Sequence, residues 1–258
     1  MNIYRTGIDI GSTTVKLVLL NERKELVFGK YMRHGARTQE ALAALLQEAK
    51  TLLGDCILLP AITGSGSINL GKALGIPFVQ EVVAVASALK QAAPQTDVAI
   101  ELGGEDAKII YFKGGLEERM NGVCAGGTGA FIDQMAALLN ITPDEMNDYA
   151  KESTKLYTIA SRCGVFAKSD IQPLINEGAK REDLAASIFQ AVVNQTISGL
   201  ACGRTIKGNV AFLGGPLSFM PELRKRFIET LELTPEQVIF PSDSQYYVAM
   251  GAALMAEK

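Results

Sequence analysis

Residues 8–20 read IDIGSTTVKLVLL, and residues 100–112 read IELGGEDAKIIYF. In both segments an apolar run ends in an acid, a glycine turn follows, and a lysine precedes a second apolar run. Two apolar runs joined by a tight glycine turn are typical of a β-hairpin. Because this pattern occurs twice, we expect two related halves in one chain.

The other periodic segments fit α/β halves. Apolar residues at helical spacing predict helices over 38–53, 81–93, 126–140, 183–204, 221–231 and 244–256. A further helix is predicted to begin at Thr142-Pro143. Short apolar runs predict strands over 57–62, 97–102 and 209–213. A cleft between two packed halves is a usual position for a ligand.

Composition excludes several classes of protein. Of 258 residues, 48% are hydrophobic and 21% are charged, which supplies a core and excludes disorder. The net charge of −3 offers no electrostatic attraction to nucleic acid or to an anionic membrane. The apolar stretches are short and interrupted, and no apolar leader begins the chain. We therefore expect a soluble, cytoplasmic protein that binds neither nucleic acid nor membrane.

The histidine and cysteine content limits the available chemistry. The single histidine, His34, lies in a polar stretch and is expected in a solvated loop. Most zinc sites are thereby excluded, as is any Ser-His-Asp or Cys-His catalysis that does not use His34. There is no Cys-x-x-Cys pair, and Cys56 and Cys202 are expected to be small buried residues.

The first hairpin turn has the chemistry of a phosphate site. Gly11 permits a sharp turn whose amide groups can surround phosphate oxygens, and Lys16 adds a positive charge. Asp9 can hold Mg²⁺ through water. The turn also carries hydroxyl groups on Ser12, Thr13 and Thr14. The spacing is not that of a Walker A loop, and a plain hairpin turn is the alternative.

The second hairpin and a later diglycine turn add to this pattern. Residues 101–106 read ELGGED, so Glu101 and Asp106 can serve Mg²⁺ and an attacking water. Residues 212–217 read FLGGPL and place a diglycine between a strand and a helix, which suits an adenosine group. The order of the three motifs favours a nucleotide-binding protein.

Two cysteines precede predicted helix starts. Residues 121–131 read NGVCAGGTGAF around Cys124, and residues 160–170 read ASRCGVFAKSD around Cys163. The amide groups and dipole at a helix N-terminus favour anions such as a thiolate or an iron–sulfur cluster. A cubane cluster needs four thiolates, which a symmetric dimer would supply as two from each chain. A merely structural role for both cysteines is the alternative.

The glycine motifs resemble the phosphate-1, phosphate-2 and adenosine motifs of the sugar kinase, Hsp70 and actin superfamily. The segments CAGGTG at 124–129 and CGVFA at 163–167 make the resemblance more specific. With them, the chain resembles activators (activases) of 2-hydroxyacyl-CoA dehydratases over residues 7–256. Their family includes the ATPase subunits of benzoyl-CoA reductase. The resemblance implies two actin/Hsp70-like (ribonuclease H-like) α/β halves with a nucleotide cleft between them. The first half comprises residues 1–92 and 243–258, and the second, 93–242, carries the cluster cysteines.

The resemblance also implies a function. ATP hydrolysis would drive a low-potential electron from an oxygen-sensitive [4Fe–4S] cluster into a partner dehydratase or related CoA-ester reductase. Cys124 and Cys163 of each subunit would ligate the cluster between two identical subunits, and ferredoxin or flavodoxin would supply electrons. ATP or ADP, with Mg²⁺, would be lined by Gly11, Ser12, Thr13, Thr14, Lys16, Gly103, Gly104, Glu105, Gly214, Gly215, Pro216 and Gln245.

Residues 101–106 read ELGGED where the family pattern is DIGGQD, and this difference changes the carboxylates available to the metal and to the water.

Two other functions compete with the one that the resemblance implies. A small-molecule kinase of the same superfamily would need a carboxylate base on an acceptor hydroxyl, with no iron. A non-catalytic module that senses ATP would bind nucleotide without hydrolysis and without a cluster.

Overall fold

A computed structural model describes residues 2–121, 126–160 and 164–256. The chain divides into two compact units. Unit 1 comprises Met1–Gln95 and Gln245–Lys258, and unit 2 comprises Thr96–Ser244.

Unit 1 is built on a mixed four-stranded sheet in the order β3-β2-β1-β4. The strands are β1 (Asn2–Ile10), β2 (Thr14–Leu20), β3 (Leu26–Arg33) and β4 (Cys56–Thr63). The first three are antiparallel neighbours, and β4 lies parallel to β1. Helix α1 (Thr38–Leu53) lies between β3 and β4 in the chain, and α2 (Ile68–Leu74) and α3 (Glu81–Ala92) follow β4.

Unit 2 is built on a mixed five-stranded sheet in the order β7-β6-β5-β8-β9. The strands are β5 (Val98–Leu102), β6 (Ala107–Tyr111), β7 (Glu117–Met120), β8 (Val210–Leu213) and β9 (Val238–Ile239). The helices are α4 (Gly129–Leu139), α5 (Pro143–Lys151), α6 (Gly164–Asn176), α7 (Arg181–Ala201), α8 (Gly215–Phe219) and α9 (Pro221–Thr230). The chain then returns to unit 1 with α10 (Tyr247–Met255).

The two sheets repeat one topology. In each, three antiparallel strands are followed by a strand parallel to the first of them. The acid of each hairpin faces its lysine in register, Asp9 opposite Lys16 and Glu101 opposite Lys108. The predicted α/β class and the two related halves are therefore confirmed.

Local sequence rules explain most helix bounds. The apolar spacing of α1 buries Ala41, Leu42, Leu45 and Ala49, and the helix covers the predicted residues 38–53. At α5, Thr142 and Glu145 form the reciprocal pair of hydrogen bonds known as a capping box. The predicted helix over 126–140 begins later, at Gly129.

Helix α7 corrects the expectation that the apolar stretches are too short to span a bilayer. Its length and composition are sufficient for a membrane span, but 67% of its apolar window is buried inside the structure. Leu184, Ile188 and Val192, which lie on successive turns, are all buried. Burial over most of its length identifies α7 as the core helix of unit 2.

Helix α10 packs closely against the backbone of other elements of unit 1. A Cβ atom on Gly7 of β1 would lie 1.8 Å from the carbonyl oxygen of Ala249. A Cβ atom on Gly251 would likewise lie 1.8 Å from the carbonyl oxygen of Ala84 in α3. These glycines therefore let the C-terminal helix contact both β1 and α3 closely.

Gly251→Ala should destabilise the protein, because the new methyl group overlaps the backbone of α3. We expect a loss of roughly 1–3 kcal/mol in the free energy of unfolding, measured by urea denaturation. Gly199→Ala is the matched control, since this exposed helical glycine meets only the flexible end of Gln195. It should be neutral or slightly stabilising, and equal losses in both variants would contradict the close packing of α10.

Candidate functional site

The first hairpin places a buried ion pair beside its turn. The Nζ atom of Lys16 lies 2.8 Å from Oδ2 of Asp9, and both residues are less than 10% exposed. The turn closes through the Gly11 N–H, which donates to the carbonyl oxygen of Thr14 at 2.9 Å. Lys16 also lies 5.7 Å from the centre of the Tyr31 ring. The predicted residues at 9–16 therefore do come together.

The hydroxyl groups of this turn differ in exposure. Ser12 is exposed, Thr13 is half-buried and Thr14 is buried at the start of β2. The turn thus presents its first residues to solvent, where phosphate can reach amide and hydroxyl donors.

The expectation that His34 is a solvated loop residue is wrong. His34 is 9% exposed, and its Nε2 atom lies 3.2 Å from the carbonyl oxygen of Gly11. Its backbone N–H donates to the carbonyl oxygen of Thr13 at 3.1 Å, and its Nδ1 accepts from the N–H of Ala36 at 3.0 Å. The histidine therefore contacts the first turn through both its ring and its backbone. A polar sequence context does not reveal that the chain returns to this turn after β3.

A third segment reaches the same place and was not predicted. Thr63, at the end of β4, faces Asp9 in register on the parallel strand β1. A Cβ atom on Gly64, which has φ +95°, would lie 2.6 Å from Oδ1 of Asp9. The N–H of Gly66 donates to the carbonyl oxygen of Ile10 at 2.9 Å. The glycine- and serine-rich run TGSGS at 63–67, directly after an apolar strand, is the sequence signal that could have identified it.

The second hairpin in unit 2 joins its turn to helix α4. Glu101 and Lys108 are both buried and in register. The carbonyl oxygens of Gly103 and Gly104 accept the N–H groups of Gly129 and Ala130 at 3.0 and 2.7 Å. The backbone of the second turn is thereby bonded to the first residues of α4.

The remaining acids of this turn lie nearer to solvent. The Gly103 N–H donates to the carbonyl oxygen of Asp106 at 2.7 Å, which closes the turn. Asp106 is half-buried and Glu105 is exposed. Both side chains are accessible enough to take part in a bound cation's coordination or water shell.

The diglycine turn follows β8 and lies against β5. Gly214 has φ +89°, and a Cβ atom on it would lie 2.1 Å from the carbonyl oxygen of Leu102. The hydroxyl of Ser218 donates to the Gly214 carbonyl oxygen at 2.7 Å. Pro216 packs within 3.4 Å of the Cβ position of Gly129, so the second hairpin, α4 and the diglycine turn meet. Gly215 and Pro216 are buried.

Gln245 follows in a separate element. It lies half-buried in a single 3₁₀ turn, Ser244–Tyr246, which precedes α10 in unit 1.

The predicted cluster ligands Cys124 and Cys163 lie outside the described residues. Across residues 2–121, 126–160 and 164–256, no group of three or more His, Cys, Asp or Glu side chains could hold a metal ion. The helices that follow these cysteines are described: α4 begins at Gly129 and α6 at Gly164. The two helices pack against each other in unit 2.

Side chains hold the irregular segment 152–160, which leads to Cys163. Oδ1 of Asp183 accepts the N–H groups of Thr154 and Lys155 at 2.8 and 2.9 Å. The hydroxyl of Ser187 accepts the N–H of Tyr157 at 2.8 Å. Oδ2 of Asp170 accepts the N–H of Ala160 at 2.7 Å. Helices α6 and α7 thus fix a segment that has no hydrogen-bond ladder of its own.

The other two cysteines differ from expectation. Cys202 is exposed rather than buried, because it ends α7 in a left-handed conformation with φ 45°. Cys56 is half-buried at the start of β4.

Comparison with known proteins assigns the family. The model of the BadF/BadG/BcrA/BcrD ATPase family matches residues 6–256. The chain belongs to this ATPase family. This confirms the resemblance seen in the sequence, and it makes the chain an ATPase.

Individual relatives match along nearly their whole length. The (R)-2-hydroxyglutaryl-CoA dehydratase activating ATPase of Acidaminococcus fermentans is 31% identical, over 100% of this chain and 98% of its own. The activator of the 2-hydroxyisocaproyl-CoA dehydratase from Clostridium difficile, solved with bound ADPNP, has a TM-score of 0.85 at 29% identity. That comparison covers 98% of this chain and 94% of the other.

A more distant likeness concerns the fold alone. A ROK family glucokinase from Streptomyces griseus has a TM-score of 0.57 at 15% identity, covering 98% of this chain and 99% of its own. The ATPase therefore shares its fold with this kinase.

Lys16→Met should destabilise this ATPase strongly, because it leaves the buried Asp9 carboxylate without its cation. We expect a loss of about 3 kcal/mol in the free energy of unfolding at pH 7. Lys30→Met is the control: Lys30 pairs with Glu48 at 2.6 Å, but both side chains are nearly half exposed. Its unfolding midpoint should hardly change. The double variant Asp9→Asn/Lys16→Met should recover part of the loss, and equal effects at both lysines would contradict this account.

Asp183→Asn should make stability less dependent on pH. The Thr154 N–H, followed by that of Lys155, holds the pKa of Asp183 below its usual value, against the opposing effect of burial. A depressed pKa contributes stability above the unfolded value, near 3.9, that is lost as the pH falls through the folded value. We expect a loss of about 1 kcal/mol at pH 7 that shrinks below about pH 4 in urea titrations. Asp148→Asn, on the exposed face of α5, is the control, and a loss independent of pH would contradict the prediction.

Proposed function

We propose that this ATPase activates a 2-hydroxyacyl-CoA dehydratase or a related CoA-ester reductase. ATP hydrolysis would drive a low-potential electron from a [4Fe–4S] cluster between two identical subunits into that partner. The observation that carries the proposal is the backbone link from the second phosphate turn to α4. Gly103 and Gly104 accept from the first N–H groups of the helix that follows Cys124.

The nucleotide is assigned to the three glycine turns and Gln245. Amide and hydroxyl groups at residues 11–14 take phosphate oxygens, together with Lys16 and residues 103–105. Gly214, Gly215 and Pro216 take the adenosine, and Gln245 is a further nucleotide contact. The relative from Clostridium difficile, solved with ADPNP, supports a nucleotide site in this fold.

The acids at the strand ends fit Mg²⁺ chemically. Mg²⁺ prefers oxygen ligands and keeps several waters, so one or two carboxylates suffice. Asp9 would hold the ion through water, and Glu101 and Asp106 would orient the attacking water and the ion's water shell. The chemistry that Mg²⁺ would supply there is neutralisation of the charge on the phosphates. Lys16 must turn from Asp9 towards phosphate for the carboxylate to face a cation.

The cluster is assigned to Cys124 and Cys163 of each subunit. Thiolates are the usual ligands of such clusters, and N-terminal helix ends favour their negative charge. The described neighbours fit this role, since α4 and α6 begin directly downstream of the cysteines and pack together. The group supplies a low-potential electron when bound. The chain itself links the start of α4 to the phosphate turn by backbone hydrogen bonds. Through these bonds, a change in the bound nucleotide would alter the surroundings of the cluster.

The homodimer is supported by exposed apolar residues next to Cys163. Val165 and Phe166, in the first turn of α6, are 71% and 65% exposed. Burial of two such side chains against a second copy is favourable and brings the two cysteine segments together. Ferredoxin or flavodoxin would supply electrons to this cytoplasmic dimer.

The proposal is tested by anaerobic reconstitution with iron and sulfide. Wild type should bind about four irons per dimer, as a four-iron cluster requires, and Cys124→Ser should lose them. Cys202→Ser is the matched control, because Cys202 is exposed but distant in sequence from both proposed segments. Mass in solution and ATP hydrolysis are measured on the same samples.

Two outcomes would contradict the proposal. Iron-free monomers in all three samples would remove the cluster and the electron transfer. Transfer of the γ-phosphate to a small-molecule hydroxyl would instead identify a kinase.

A further inference from the structure

The side chain of Thr63 is buried without satisfying its hydroxyl group. Thr63 is 0% exposed, and its Oγ1 atom has no hydrogen-bond partner among the residues that the structure describes. Such a hydroxyl is costly to bury, so its presence in a native core calls for an explanation. A methyl group would fill the same volume without that cost.

The position of Thr63 indicates what the hydroxyl serves. It is the in-register partner of Asp9 on a parallel strand, so the two side chains share one face of the sheet. On the other side of Asp9, Lys16 and then Tyr31 continue the same row across β2 and β3. Thr63 therefore ends a polar row whose centre is the Asp9–Lys16 ion pair.

The repeat in unit 2 shows that the fold does not require a hydroxyl at this position. The in-register partner of Glu101 on β8 is Leu213. Each partner is followed by a glycine of positive φ, Gly64 at +95° and Gly214 at +89°. The two turns correspond, but the parallel strand carries a hydroxyl side chain beside the acid in unit 1 and an apolar leucine in unit 2.

We propose that Thr63 is a positioning residue for metal–nucleotide binding at Asp9. When Lys16 turns from Asp9 to phosphate, the Thr63 hydroxyl donates a hydrogen bond to the Asp9 carboxylate and keeps it oriented towards the Mg²⁺ water shell. This inference rests on the proposed nucleotide site. No bond is made or broken other than hydrogen bonds.

A neutral donor suits this task for an electrostatic reason. A buried carboxylate needs a donor at all times, because an uncompensated buried charge is strongly unfavourable. If Lys16 stayed on Asp9, its ammonium group would repel the incoming cation. A hydroxyl satisfies the carboxylate and leaves its full negative charge available to Mg²⁺.

The test uses three variants of the full chain. Thr63→Val replaces the hydroxyl by a methyl group at nearly constant volume, and Thr63→Ser retains the hydroxyl while losing the methyl group. Thr6→Val is the matched control: Thr6 is 1% exposed on the same strand as Asp9, three residues earlier and therefore on the opposite face of the sheet. Calorimetry measures ADP affinity with and without Mg²⁺, and thermal unfolding without nucleotide measures stability.

We expect Thr63→Val to reduce the gain in ADP affinity that Mg²⁺ provides without lowering the stability of the protein. Thr63→Val should unfold at or above the wild-type temperature, since it removes an unsatisfied hydroxyl, whereas Thr63→Ser should unfold lower because it leaves a small cavity. The gain in ADP affinity from Mg²⁺ should fall about tenfold in Thr63→Val, the size of one hydrogen bond to a charged group. Thr63→Ser and Thr6→Val should keep the wild-type gain. Metal-free ADP affinity should be unchanged in all three, because without Mg²⁺ the Lys16 ammonium group stays on Asp9.

Each contrary result has a distinct meaning. A wild-type Mg²⁺ gain in Thr63→Val overturns the role of Thr63, as does an equal loss in Thr63→Ser, which would indicate packing. An equal loss of metal-free affinity in Thr63→Val also overturns it, since the site as a whole would be damaged. If wild type binds no ADP, the proposed function fails first, and the inference falls with it.

Discussion

The ion pair between Lys16 and Asp9 is the interaction on which the first half of the site depends. Two charges this deeply buried are tolerated only when they satisfy each other, so the strands must pair in the register that brings them together. That register fixes the turn closed by the Gly11 N–H and aims its outer groups at solvent. The same acid and lysine positions face each other in the second hairpin, at Glu101 and Lys108.

The two units share a second backbone feature in addition to the hairpins. In each unit the strand parallel to the acid-bearing strand is followed by a glycine of positive φ, whose missing side chain lets the backbone pass close to the residue after the acid. A Cβ atom on Gly64 would lie 2.3 Å from the carbonyl oxygen of Ile10, and one on Gly214 would lie 2.1 Å from that of Leu102. One backbone frame therefore serves two chemically different turns. The first leads to the serine-rich loop before α2, and the second leads to the buried Gly215-Pro216 of α8.

Much of the fold was predictable because the deciding signals are local. The apolar spacing over 38–53 produces α1 with those bounds, and Thr142 with Pro143 starts α5 as predicted. His34 and Thr63 were misjudged or missed because their neighbours in space are remote in sequence. No local rule indicates that the chain returns to the Gly11 turn after β3, or that β4 aligns Thr63 with Asp9. Parallel pairing is non-local, and its register is set by packing.

The α/β class, the duplicated hairpins, the glycine turns and the family can all be read from contiguous residues, because their conformational preferences act locally. Which residues share a site depends on the packing of segments that are remote in the chain. Packing pairs Lys16 with Asp9 and brings His34 into contact with the first turn. It also joins the second turn to α4 by hydrogen bonds and places the unsatisfied hydroxyl of Thr63 beside the buried Asp9. Those outcomes depend on how a close-packed interior satisfies buried polar groups, and that balance exists only once distant segments are packed together.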